Sequence, residues 1–168
     1  MSNKRNWLIG NGGTGSKLYY IREDSNGVQH EEEFPSLVLT NDGELKHESS
    51  TKVYSFDGVT SVDTDVLDFK FAYDPNIEEV YFPDLTTSSG SYGLHGIFYN
   101  CSQISMIQFP KLTSLYINSG QSIANMITDV TSEVTLQFPT SIQSTIESYK
   151  SYLTNESSIT VNYTLEYI

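Results

Sequence analysis

FYNCSQISMIQFPKL, residues 98–112, is the stretch on which the reading of this chain turns. Its end alternates, with Ile107 and Phe109 on one side and Gln108 on the other, the period of a strand with one buried face. Pro110 then stops the strand, because proline has no N–H to give to a ladder. The same phrase occurs upstream as FAYDPNIEEVYFPDL, residues 71–85, and downstream as ITDVTSEVTLQFPTSI, residues 127–142. Its Phe-Pro pairs begin at Phe82, Phe109 and Phe138, spacings of 27 and 29 residues. Periods of roughly 20–50 residues mark stacked repeats, each too small to bury its apolar side alone.

Aligned on these phenylalanines, apolar residues recur at matched offsets. Eleven positions earlier are Phe71, Phe98 and Ile127; two earlier are Val80, Ile107 and Leu136; after the proline come Leu85, Leu112 and Ile142. Like residues at like offsets are what stacking of successive coils requires. KVYSF, ending at Phe56 and so 26 residues before Phe82, fits as a degraded first copy. The short strands are predicted to pair in parallel. Glu79 and Tyr81, Met106 and Gln108, and Thr135 and Gln137 then point outward together, and this strand face is the candidate binding surface.

Beyond the last Phe-Pro pair, Ile142, Ile146, Tyr149 and Leu153 follow one another at +4, +3 and +4, the stripe of a helix of about three turns. SSITVNYTLEYI, residues 157–168, alternates, with Ile159, Val161, Tyr163, Leu165 and Tyr167 on one side. A helix plus a strand is expected to cap the array, which needs its last apolar layer covered. Upstream, residues 1–15 are polar and glycine-rich around the apolar island Trp7, Leu8 and Ile9, an expected assembly arm. LYYIRE and VQHEEEF flank Asn26-Gly27, a dipeptide suited to a tight hairpin turn. SLVLT and KVYSF are further short strand-like pieces, separated by NDGE and HESST. The expected fold is mainly β with one C-terminal helix: a short, capped solenoid over 61–168, preceded by an arm and a small β-hairpin attachment module over 1–60.

The chain has 168 residues, with 9 Lys and Arg against 21 Asp and Glu, a formal net charge of −12. Nucleic acid and anionic membranes repel such a surface, so neither is an expected partner. The 12 Tyr and 8 Phe bring large areas per residue, suited to aromatic-rich β structure. One cysteine, Cys101, permits neither an internal disulfide nor a cysteine metal cluster. Trp7-Leu8-Ile9 is too short for the apolar part of a signal peptide or for a membrane span, so synthesis in a cytoplasm without signal-directed secretion is expected.

Motifs that suggest chemistry have plainer readings. Gly10-Asn11-Gly12-Gly13-Thr14-Gly15 spells G-x-G-x-x-G, but a dinucleotide site needs a helix next, and LYYIRE reads as strand. A P-loop needs Lys before Ser, and Ser16-Lys17 reverses them. Glu31, Glu32 and Glu33 alternate between faces of a strand and cannot converge on one ion. Asp63, Asp65 and Asp68 lack the glycine turn and final Glu of a calcium loop. His30, His47 and His95 are far apart in sequence and away from acid clusters with ligand spacing. Cys101 fits a small buried filler. Tyr81, Tyr92, Tyr99 and Tyr116 suit either sugar stacking or half-buried β positions. No catalytic residue, metal or cofactor is expected.

Phe98-x-x-Cys101-x-x-Ile104-x-x-Ile107-x-Phe109-Pro110-x-Leu112 resembles the leucine-rich repeat of the BspA type, in which an aromatic, a cysteine, spaced aliphatics and a proline recur. SYGLHGIFYNC, residues 91–101, is similar to that family's turn into the aromatic-cysteine segment. The resemblance spans residues 66–145, with Asp74 and Val130 in place of the cysteine and Glu133 in place of the leading aliphatic. It implies a leucine-rich-repeat solenoid used for binding or scaffolding, as in surface adhesins of bacteria and protozoa and in structural proteins of phages of gut bacteria. The expected function is a non-enzymatic virion structural protein: a decoration, fibre or tail-associated component. Its expected partners are other virion proteins, further copies of itself, and a host-surface receptor or glycan. The alternative is a bacterial adhesin-like module that binds host protein or glycan.

Overall fold

The computed structural model describes residues 19–23, 29–33, 38–39, 45–46, 52–56, 59–62, 67–116, 121–155 and 157–168. Two hairpins come first: β1 (Tyr19–Glu23) pairs antiparallel with β2 (Gln29–Glu33), and β3 (Val38–Leu39) with β4 (Leu45–Lys46). The LYYIRE and VQHEEEF stretches that flank Asn26-Gly27 therefore pair as two strands. The Asn26-Gly27 turn, the Trp7-Leu8-Ile9 arm, the glycine-rich motif, His47, Asp63 and Asp65 lie outside the described residues.

The main body is built on two parallel sheets. β5 (Val53–Ser55), β7 (Glu79–Tyr81), β9 (Met106–Gln108), β11 (Val134–Phe138) and β12 (Tyr163–Tyr167) form a parallel sheet in the order β12-β11-β9-β7-β5. β6 (Ser61–Val62), β8 (Thr87–Ser88) and β10 (Ser114–Leu115) form a second, three-stranded parallel sheet, order β10-β8-β6. Register follows the spacing of the sequence: Val80 sits opposite Ile107, and Ile107 opposite Leu136. KVYSF joins as a further copy, with Tyr54 opposite Val80. The sheet thus takes in β5 from the stretch assigned by sequence to the N-terminal module, and β1 runs close to β5.

Main-chain bonds continue beyond the strands. The N–H groups of Phe69, Phe71 and Tyr73 donate to the carbonyls of His95, Ile97 and Tyr99 at 3.1, 3.0 and 2.8 Å. Those of Leu94, Gly96, Phe98 and Asn100 donate in turn to Ser122, Ala124, Met126 and Thr128 at 2.8–3.0 Å. Two positions in each of these turns have positive φ: Phe69, Gly96 and Asn125 in one column, Tyr73, Asn100 and Asp129 in the other. A Cβ on Gly96 would lie 2.5 Å from the Phe69 ring, so only glycine fits under that ring.

Aromatic rings stack along the core at the strand ends. Phe56, Phe82, Phe109 and Phe138 follow one another at centroid distances of 4.8, 5.2 and 5.5 Å, with planes within 17° of parallel. Phe71 and Phe98 stack likewise at 5.2 Å. All of these rings are fully buried, as are Val80, Ile107, Leu136, Leu85 and Leu112. The predicted helix spans Thr140–Tyr152 as a 3-10 turn, the α-helix α1 (Gln143–Tyr149) and a second 3-10 turn. Ile142, Ile146 and Leu153 are buried on its inner side and Tyr149 half-buried. The fold is mainly β with one C-terminal helix, and no helix among the described residues is long and apolar enough to cross a membrane.

Candidate functional site

Strand alternation places two straight rows on the outer face of the five-stranded sheet. One runs Val53, Glu79, Met106, Thr135, Thr164, and the other Ser55, Tyr81, Gln108, Gln137, Glu166. All six residues singled out by sequence, Glu79, Tyr81, Met106, Gln108, Thr135 and Gln137, lie side by side here, half-buried by one another. Four of them, Glu79, Tyr81, Gln108 and Gln137, are tied by side-chain hydrogen bonds. Gln108 Nε2 donates to Gln137 Oε1, and Gln137 Nε2 donates to Glu166 Oε2 at 2.6 Å. The Tyr81 hydroxyl donates to Glu79 Oε2. Burial, then the Glu79 bond and charge, push the Tyr81 hydroxyl up to about 12, so it remains a donor across the physiological range.

The face is therefore an array of amides, hydroxyls, one phenol and carboxylates around the Met106 thioether, groups able to hydrogen-bond and stack. Lys52 and Lys111 bond to Glu78 and Asp84 of the neighbouring segments, at 2.5 and 2.7 Å. Cys101 is fully buried, its thiol donating to the Phe71 carbonyl at 2.9 Å and held well above the ordinary thiol range by burial. That is the filler position read from the sequence. Among the described residues no group of three or more His, Cys, Asp or Glu is arranged to hold a metal ion.

On the turn side the structure gathers residues that the sequence reading kept apart. His95 Nδ1 lies 2.8 Å from Asp68 Oδ1, so this histidine has an acidic partner 27 residues away. Tyr92, His95, Phe69, Tyr99 and Tyr73 form a chain of ring contacts at 5.2, 4.9, 5.6 and 5.5 Å. Of the four candidate sugar-stacking tyrosines, Tyr92 and Tyr99 meet here, while Tyr81 belongs to the strand face and Tyr116 follows β10. Asp129 closes the cluster. Burial opposes its charge, but bonds from the Ser158 N–H and hydroxyl, from Ser157 and from Tyr99 outweigh this and hold its carboxyl below the usual range. The signal that finds this cluster is the repeat offset itself: Asp68 and His95, like Phe69 and Gly96, are one period apart.

Asp74 occupies the cysteine position of its segment and is fully buried. Its Oδ1 accepts the N–H groups of Asn76 and Ile77 at 2.8 and 3.2 Å, while Oδ2 has no hydrogen-bond partner. Burial pushes this carboxyl up to about 6, against those two bonds. In comparison with known proteins, the chain matches no family model, no curated sequence and no solved structure.

Proposed function

We propose that this chain is a non-enzymatic binding and assembly module, a short leucine-rich-repeat-like solenoid of the BspA type, that serves as a virion structural protein in a decoration, fibre or tail-associated position. The observation that carries the reading is the in-register stacking of Tyr54, Val80, Ile107 and Leu136, which sets outward residues of four successive segments into straight rows. Such rows make a continuous sheet face, a geometry suited to partner recognition. The net charge of −12 favours partners with basic patches. Other virion proteins and further copies of this chain are the proposed partners, and residues 1–16 the attachment arm.

The test is incorporation. Purified particles produced with the full chain are expected to contain it at fixed stoichiometry by mass spectrometry, and deletion of residues 1–16 to abolish incorporation while the protein still folds. Absence of the full chain from particles overturns the virion reading. The Tyr81 ring, bonded to Glu79 and opposite Gln108 on the strand face, favours a second reading, an adhesin-like module that recognises host protein or glycan. Glycan binding by the pure protein, abolished by Tyr81→Ala, would select it.

A further inference from the structure

The two edges of the five-stranded sheet differ. β5 lies close to β1, whereas among the described residues no strand pairs with the far side of β12. Its main-chain groups can be assigned. The Val134 N–H donates to the Asn162 carbonyl at 3.1 Å and the Ile168 N–H to the Phe138 carbonyl at 3.0 Å. Bonded residues alternate along a parallel strand, so Asn162, Thr164, Glu166 and Ile168 face β11, and Tyr163, Leu165 and Tyr167 present their N–H and C=O groups on the free edge. The side chains of the same three residues point to the core, yet they are only partly buried, whereas Tyr54, Val80, Ile107 and Leu136 in the Leu165 column are fully buried. The strand YTLEY has none of the lysines or prolines that blunt an edge.

We infer that β12 pairs antiparallel with β12 of a second copy, about a two-fold axis at Leu165, joining the two sheets into one. The strand's own composition selects this partner and this register. Centred on Leu165, Tyr163 faces Tyr167 of the other copy and Leu165 faces Leu165, so all three free residues exchange both main-chain groups, six bonds in all. Centring one residue earlier sets Tyr167 against Val161, outside the strand, and centring one residue later sets Glu166 against Glu166. In the Leu165 register the outward pairs are Thr164 with Glu166, hydroxyl to carboxylate. Glu166 Oε2 already accepts from Gln137, and its other oxygen remains for the threonine. The tyrosines and leucines meet on the inner side and cover the half-open layer.

The inference deepens the assembly reading and rests on it only for its biological use; mass in solution tests the interface, and particle incorporation tests that use. The full chain is expected to sediment as a dimer at tens of micromolar. Thr164 is exposed, so changes there leave folding intact. Thr164→Lys sets Lys against Glu166 twice and is expected to tighten the dimer about fivefold, whereas Thr164→Glu sets like charges together and loosens it about as much. Leu8→Asp, which disables the apolar arm, is expected to leave the dimer unchanged. A monomeric full chain, a shift in the same direction for both Thr164 variants, or loss of the dimer in Leu8→Asp would each overturn the inference, the last by assigning the edge to the arm.

Discussion

The strand side and the turn side of the molecule are both held by lateral main-chain bonds between segments, but they use side chains in different ways. On the strand side the same residue returns in each segment: Phe56, Phe82, Phe109 and Phe138 stack nearly parallel. On the turn side the backbone returns while the residue drifts: Phe69, Gly96 and Asn125 share a positive φ, as do Tyr73, Asn100 and Asp129. The phenylalanine column is selected by shape, since a ring packs best on a ring of the same size. The turn columns share a backbone conformation that glycine, asparagine and aspartate adopt at least cost, and Phe69 and Tyr73 hold it in the first of these turns against that preference.

The sharpest way to break the comparison is in the middle of the phenylalanine column. Phe109→Ala leaves Phe82 and Phe138 facing a void and is expected to lower unfolding free energy by about 4 kcal/mol in urea titration. A loss below about 1 kcal/mol would show that identity in this column is incidental.

Asp74 tests the turn side at its least conventional residue. With a folded pKa of about 6 above an ordinary value of 3.8, the folded state binds the proton more tightly than the unfolded chain. Stability should therefore fall as pH rises from about 4 through 6 and level off above. Asp74→Asn keeps the acceptor for Asn76 and Ile77 and carries no charge to bury. It is expected to raise stability by about 2 kcal/mol at pH 8 and by little at pH 3, flattening this part of the pH profile in thermal melts. Equal effects at both pH values would rule out the buried charge as the cause.

The smallest effect concerns backbone tolerance itself. Asn100, exposed and at φ 55°, is expected to lose about 1 kcal/mol on change to alanine and to stay within about 0.5 kcal/mol of the parent as glycine. Equal losses from the two variants, compared by chemical denaturation, would remove φ as the selecting property.

Which parts of this fold were legible follows from the same contrast. The alternation around Val80, Ile107 and Leu136 and the recurring Phe-Pro pairs predicted the strands, their parallel register and the outward rows of the candidate face, because a strand's period and its stacking partner are both written in residue type. The helix after Phe138 was legible from Ile142, Ile146 and Leu153, which the structure buries. The second sheet was not, since two-residue strands such as Thr87–Ser88 have no period to read. Nor was the meeting of Asp68 with His95. The sequence set Asp68 beside Asp63 and Asp65 and set His95 within residues 91–101, and the repeat offset joins them only once the turn segments are also known to align. The place of Asp74 was visible as a departure from the cysteine column, but its lone unsatisfied oxygen is a property of packing.

The two spacings, 27 and 29, have a consequence for engineering. Ser114 and Leu115 still pair with Thr87 and Ser88 at an offset of 27, while the Gly96 N–H reaches the Ala124 carbonyl, 28 residues on, where the corresponding bond of Phe69 reaches 26. The two additional residues thus fall in the sequence between Tyr116 and Gln121, and the ladders described on either side keep their pairing. An epitope tag or a grafted recognition peptide belongs at that point of the chain, where lengthening has already been accommodated once.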